Sequence, residues 1–541
     1  MRVIAFIVFA TCVACSGGER RFPMREPMWR DTDLDPVRAH VARYDSPLYW
    51  DGADNLFFRP LSESLGLVTS GESVNVNALD EVPDSAWFTN RISARAMTPE
   101  EVARGACTPE QILDAEHAAD GSWLIDKGKT NGSTPGFRVT IPGKGKFMLK
   151  AEDKDDEPER QAASSVIGAA VFHAAGYYSA CEQIVYVRSS LFTLEPGLVS
   201  KANFQDEKAF DRAALEKMLA QSTIHGRVRM SASAWIRGQS IGEYRFEGTR
   251  DDDPNDVIPH EDRRDLRGMR VLAAWIDRFD AREGNTFDTW MSSDAKRKDS
   301  PGIVLHYQLD TSEALGSTWA WDPISRRLGK SYVIDWGDIA ADFVTLGALV
   351  RPWDTAKREP GREIFGYFDA EHFVADRWKS EYPNAAFSRM TERDAAWMAR
   401  ILARFTPETI HALAKSADFS DARDTRTLES TLEGRLARIL DRYLARLSPI
   451  ADVKIDGDSI CGVDLAMLRS VRPASAFRFS ARVVGGTLLA AANDGARVCV
   501  KVPHANDGAY IRIAIDDGFA KGPLVAHVYD LGARGFALAG L

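Results

Sequence analysis

The stretch DRFDAREGNTFDTWMSSDAKRKDSPGIVLHYQLDTS, residues 277–312, decides how the rest of the chain is read. Asp280 and Asn285 stand five residues apart in a short polar segment. Thr286–Met291 and Ile303–Leu309 are rich in β-branched and aromatic residues and are separated by a charged, Ser/Lys-rich stretch, so they read as a hairpin. Asp310 follows the second run directly. Upstream, Arg263–Asp277 carries Leu266, Met269, Ala273 and Ile276 on one face, the spacing of an amphipathic helix. Glu261 and Asp262 lie just before it, where acidic side chains complement the helix dipole.

Working outward, the N-terminal side changes texture near residue 121. Ser122–Ile125, Phe137–Ile141 and Lys146–Lys150 are short strand-like runs separated by Gly/Pro turns, and Lys150 ends the last of them, KFMLK. Glu159 opens a helical pattern that runs to Ala175 and is closed by Gly176. Gln183–Val187 and Val228–Arg237 read as further strands, and 206–221 as a helix. On the C-terminal side, stretches 336–350, 391–403, 406–415 and 427–447 show the helical period. After Pro449 the runs Arg497–Val502, Tyr510–Ile515 and Leu524–Tyr529 predict a small all-β unit. Residues 16–70, rich in Arg, Asp and Pro with little periodicity, read as an extended tether and N-terminal wrap.

A β-rich unit containing one helix, followed by a helical unit, is the arrangement of protein kinases, and the polar residues stand in a matching order. Phosphoryl transfer needs a cation on the phosphates, oxygen ligands for Mg²⁺ and a base near the attacking hydroxyl. Lys150 supplies a strand-end cation, Glu159 a helix carboxylate beside it, Asp280 the base, and Asn285 with Asp310 the metal oxygens. Gly132 and Gly136, in GSTPG, would cover the phosphates of ATP. Two carboxylates converging in one cleft should also raise the pKa of at least one carboxylate there. The fold expected is α+β, two-lobed and protein kinase-like. Its units are a tether and N-terminal extension over 15–120, a β-rich N-lobe over 121–245, a helical C-lobe over 246–449 and a small β domain over 450–541.

Several stretches resemble a family of uncharacterised bacterial exported proteins. They are VNVNALDEVPDSAWFTNR (74–91), GSTPGFRV (132–139), the long run from Arg237 to Asp288, HYQLDTSEALGS (306–317) and WKSEYPNAAFSRMTERDAAW through ARFTPETI (378–410). That family is remotely similar to atypical kinases of the spore-coat and toxin type. The resemblance covers roughly residues 70–448 and implies a kinase-like fold, with Mg²⁺ and ATP as cofactors and an unidentified hydroxyl acceptor. The chain departs from the usual kinase pattern at several points. GSTPG stands in place of a GxGxxG loop, Arg278-Phe279-Asp280 in place of His-Arg-Asp, and Asp310-Thr311-Ser312 in place of Asp-Phe-Gly. Ser165 occupies the helix position where a second acidic residue is expected. Asp335, in YVIDWGD, is a rival for the metal-binding role of Asp310.

Composition bounds the remaining possibilities. The chain has 541 residues and a formal charge of −10, with 45% hydrophobic and 27% charged residues, a globular composition. The acidic balance excludes a general nucleic-acid binder. Residues 1–14 read as a signal peptide, and Cys15 before Ser16-Gly17-Gly18 resembles a lipobox cysteine that is acylated. This predicts an exported periplasmic or outer-membrane lipoprotein held to the bacterial membrane by its N-terminus. Of the four downstream cysteines, Cys461 and Cys499 lie in one compact segment and are expected to pair in an oxidising compartment, leaving Cys107 and Cys181. Two other functions stay open: an envelope binding or scaffolding lipoprotein that keeps the fold without chemistry, and a serine hydrolase using Ser240 of GQSIG, a match to the GxSxG nucleophile elbow.

Overall fold

A computed structural model describes residues 21–541 except 32, 34, 39–42, 67–70, 131–133, 153–157, 202–205, 295–299, 317–321, 359 and 362. The expected signal peptide, Cys15 and Gly132 lie outside the described residues. The fold is mixed α+β with several sheets.

The principal sheet is built from β1 (Trp123–Gly128), β2 (Gly136–Ile141), β3 (Gly145–Ala151), β4 (Glu182–Val187) and β5 (Arg227–Ala234), in the spatial order β4-β5-β3-β2-β1, with Phe192–Leu194 added beside β1. All neighbours among β1–β5 are antiparallel. Strand alternation sorts the side chains. Ile125, Val139, Phe147, Leu149, Met230 and Ala232 point into a core that excludes solvent, while Lys150 and its register partner Ser231 share the opposite face. Helix Arg160–Ala175 packs on that face and is buried along almost its whole length. Its N-terminus is satisfied by Glu152, whose carboxylate accepts from Ala162 N at 3.0 Å.

The second large core is helical. Helix Arg264–Ile276 lies at its centre against Glu392–Leu402 and Ala422–Leu444. Gly268 lets the Trp397 ring approach the backbone, since a Cβ there would meet the ring at 3.0 Å. The predicted hairpin forms from Thr286–Ser292 and Gly302–Gln308, flanked by Gln239–Gly242 and the two-residue strand Tyr178–Ser179. The C-terminal unit is a four-stranded and a five-stranded sheet closing on one apolar cluster, with a short helix, Leu465–Leu468, between strands. Cys461 and Cys499 are disulfide-bonded there, on directly opposed strand positions, and Cys107 is bonded to Cys181.

The N-terminal extension differs from the expected tether. Val82, Trp87, Phe88 and Ile92 are integral to the helical core. Residues 48–65 are helical: Leu48–Ala53, a π-turn over Asp54–Phe58, and Arg59–Leu65. The aromatic pairs at 49/50 and 57/58 stand two turns apart, and Trp50 stacks on Phe58 across the π-turn with ring centroids 5.6 Å apart. Among the described residues no helix is long and apolar enough to cross a membrane.

Candidate functional site

Lys150 Nζ lies 3.0 Å from Asp310 Oδ2, joining the end of β3 to the loop after the hairpin. Asp310 adopts a left-handed backbone (φ 46°), which an Asp tolerates better than most residues, and its other oxygen accepts from Ser312 Oγ at 2.7 Å. Helix 160–175 holds this loop. Thr311 Oγ1 donates to the carbonyls of Ser164 (3.2 Å) and Ser165 (3.1 Å). Ser164 Oγ and Arg160 Nη1 both donate to the Ala314 carbonyl, at 2.7 and 2.8 Å. Gly168 makes room, because a Cβ at that position would sit 2.4 Å from Thr311 Cβ and Oγ1.

Asp280 and Asn285 form the second half. Asn285 Nδ2 donates to Asp280 Oδ2 at 2.7 Å and to its backbone carbonyl at 2.8 Å. Arg282 Nε stands 2.9 Å from Asp280 Oδ1, an ion pair whose angle is poor for a hydrogen bond, and Arg282 Nη1 reaches Asp51 Oδ2 at 3.3 Å. The two halves are joined by backbone and by one arginine. Leu309 N donates to the Asn285 carbonyl at 3.0 Å. Arg278, fully buried, donates to Gln308 Oε1 (2.8 Å), the Leu309 carbonyl (2.7 Å) and the Asn285 carbonyl (3.3 Å), with its guanidinium over the Phe172 ring of helix 160–175. The Lys150–Asp310 and Asp280–Asn285 pairs are thus linked through the Asn285–Leu309 backbone bond and Arg278.

Electrostatics follow from this packing. Burial pushes the Asp310 carboxyl up, but Lys150, Ser312 and Lys129 outweigh it and hold the group well below its ordinary range. Burial also pulls the Lys150 ammonium down, and the charges of Asp310 and Glu182 more than restore it. The expected raised carboxylate is therefore not Asp310. It is Glu381, pushed up to about 8 by burial and by the charge of Asp280; Glu182 is raised too, by burial. Lys129, at the end of β1, is brought down to about 8 by burial and the charge of Lys150.

Glu159 is not the partner of Lys150. It sits at the helix N-cap with a left-handed backbone (φ 65°), and its carboxylate accepts from the Ser420 amide at 3.0 Å and from the Ser420 hydroxyl. Glu182 takes the place near Lys150 instead: Ser231 is in register with both Lys150 and Ile184, so Glu182, two residues along β4, lies on the same face. Gly136 lies directly opposite Lys150 in the β2–β3 pair, and a Cβ there would lie 2.4 Å from the Leu149 carbonyl oxygen, so strand packing accounts for the glycine. Asp335 is an N-cap, accepting from the amides of Gly337 and Asp338 at 3.1 Å each and paired with Lys379, which removes it from the site. Ser240 belongs to a strand paired with Thr286–Ser292, and its Oγ accepts from Arg43 at 3.3 Å; no strand–turn–helix elbow surrounds it.

Lys129, Glu182, Arg282 and Glu381 escape sequence reasoning. The only signal for Lys129 was Gly128-Lys129-Thr130, an echo of a phosphate loop that lacks the upstream glycine. Among the described residues no group of three or more His, Cys, Asp or Glu side chains is arranged around a metal position. Asp310 has Oδ2 on Lys150 and Oδ1 on Ser312 Oγ, so a cation there would compete with both. No family model, curated protein or solved structure matches the chain.

Proposed function

We propose that the chain is an exported, lipid-anchored phosphotransferase of two-lobed, kinase-like build that uses Mg²⁺ and ATP on a hydroxyl acceptor. The observation that carries this reading is the Lys150–Asp310 ion pair at 3.0 Å, formed beside the Asp280–Asn285 pair. The sheet order β4-β5-β3-β2-β1 with one helix on its face, and a hairpin between the loops that bear Asn285 and Asp310, supports it at the level of fold. Lys150, with Lys129 beside it, would neutralise phosphate oxygens. Asn285 Oδ1 and Asp310 would hold Mg²⁺, which offsets charge on the transferred group. Asp280 would accept the proton of the acceptor hydroxyl as its oxygen bonds to the γ-phosphorus; the bond from that phosphorus to the β–γ bridging oxygen breaks and ADP leaves. Arg282 would fix the Asp280 carboxylate and favour its ionised form.

A scaffold that binds nucleotide without turnover is the second reading, favoured by the direct closure of Lys150 on Asp310 and of Arg282 on Asp280. Incubation with γ-labelled ATP and Mg²⁺ separates the two. Label transfer to the protein or to water is expected, falling about 10²–10⁴-fold in Asp280→Asn. Nucleotide binding without label transfer in the wild type would select the scaffold, and transfer undiminished in Asp280→Asn would remove Asp280 from the reaction.

A further inference from the structure

Residues 336–350, WGDIAADFVTLGALV, contain no Lys, Arg or Glu. They form helix Trp336–Val344 and the turn after it, and they leave their apolar side chains in solvent: Phe343 is 80% exposed, Val344 79% and Leu346 92%. The two acids on the helix are neutralised from the same side, Asp342 by Arg351 at 2.8 Å and Asp338 by the same guanidinium at 3.3 Å. Helix Arg59–Leu65 packs against this helix, and the segment it belongs to exposes Tyr49, Trp50, Phe57 and Phe58. Two neighbouring elements therefore present aromatic and aliphatic surface to solvent, on a scale that usually marks an interaction site.

A cavity of about 920 Å³ opens where the strip ends, with Leu349, Val350 and Trp353 on its rim. Its lining carries seven Lys and Arg against four Asp, in a chain whose net charge is −10; Arg351, Lys379 and Arg435 are paired with aspartates, and Arg270, Lys330, Lys357 and Arg377 carry the remaining positive charge. Lys330 lies inside it over the Tyr367 ring (5.5 Å) and donates to the Arg326 carbonyl at 3.4 Å. Lys357 is exposed at the same mouth. An apolar strip flanked by tryptophan and tyrosine, with cations set just behind it, has the layering of a bilayer interface: hydrocarbon, then headgroup phosphates.

We propose that this face docks on a bilayer, with residues 339–350 entering the acyl boundary and the cavity receiving the phosphate headgroup of an anionic lipid. Charge complementarity selects the occupant, and so does the chain outside the described residues: the apolar run 2–14 and Cys15 lie close before Arg21 and are expected to bring the molecule to a membrane. A second copy of the chain would bring the same excess of cations to the cavity and is disfavoured. The proposal depends on neither nucleotide binding nor phosphoryl transfer.

Hydrogen–deuterium exchange of the full chain with vesicles tests it locally, whatever the N-terminus contributes. Phosphatidylglycerol vesicles should slow exchange of the 336–350 amides about tenfold, as for a face occupied nine-tenths of the time, and phosphatidylcholine vesicles clearly less. Phe343→Glu with Leu346→Glu, both at exposed positions, should abolish the slowing. Lys330→Gln with Lys357→Gln should reduce phosphatidylglycerol to the phosphatidylcholine level. Exchange unchanged by phosphatidylglycerol, slowing that survives the Glu pair, or equal slowing by both lipids would overturn the proposal. Protection present without vesicles and lost on dilution would assign the face to a second copy and overturn it as well.

Discussion

Single uncharged residues set the geometry of the candidate site as much as its charged groups do. Gly168 lacks a side chain where Thr311 must dock, and Thr311 in turn fixes the backbone that presents Asp310. Arg278 satisfies three acceptors on two loops at once, which explains why a buried guanidinium is tolerated there. Glu381 makes the opposite contribution. Its carboxyl titrates near 8 in the folded chain and near the ordinary carboxylate value when unfolded, so between those values the folded chain holds a proton that the unfolded chain has lost. Stability contributed at this position therefore falls as pH rises through that window and is level above it. Glu381→Gln should melt at a higher temperature than the wild type at pH 8.5 and converge with it near pH 5. Parallel melting curves across that range would show that Glu381 is not held protonated by its surroundings.

At the scale of elements, helix 160–175 has a different task from the one its position in the sequence implies. A carboxylate at its start, nine residues after Lys150, reads as the partner of that lysine. Glu159 instead accepts from the Ser420 amide, and the helix serves the site through Ser164, Ser165 and Gly168, whose small side chains carry no recognisable motif. The hairpin, the Lys150 strand and the helix 264–276 were legible because alternation and the 3.6-residue period are local signals. Glu182 and Glu381 were not, since each reaches the cleft only through long-range pairing: one through the β5 register, the other through the backbone bond from Glu381 N to the Phe279 carbonyl at 2.7 Å. The Cys107–Cys181 bridge anchors the start of β4 next to Glu182. Replacing both cysteines by Ser should cost about 4 kcal/mol by the chain-entropy argument for a loop of this size. Denaturant unfolding would measure it, and an unchanged midpoint would show that the β4 edge is held by packing alone.

Across the whole molecule, the sheet and the helical core are clamped together through Arg229. Arg229 of β5 pairs with buried Glu152 at 3.0 Å and donates to the carbonyls of Ala417 (2.6 Å) and Asp418 (2.7 Å) beyond helix 407–416. The proposed function puts the ligand elsewhere, between Lys150 on the sheet and Asp280, Asn285 and Asp310 on the loops around the hairpin. The composition and the N-terminal run predict an exported globular chain, and the order of polar residues selects the four that the proposed function uses. The integration of Val82, Trp87, Phe88 and Ile92 into the helical core was hidden by the low periodicity of the stretch around them. The central claim is that the meeting place binds Mg²⁺-nucleotide. Thermal unfolding with ATP, with and without Mg²⁺, tests it most directly. A ligand at 100 times its dissociation constant stabilises the folded state by about 2.7 kcal/mol, so the melting temperature should rise with ATP and Mg²⁺ together, rise less with either alone, and not respond in Lys150→Met or Asp310→Ala. An unmoved wild-type melting temperature at millimolar Mg²⁺-ATP, or a shift retained in both variants, would contradict the account.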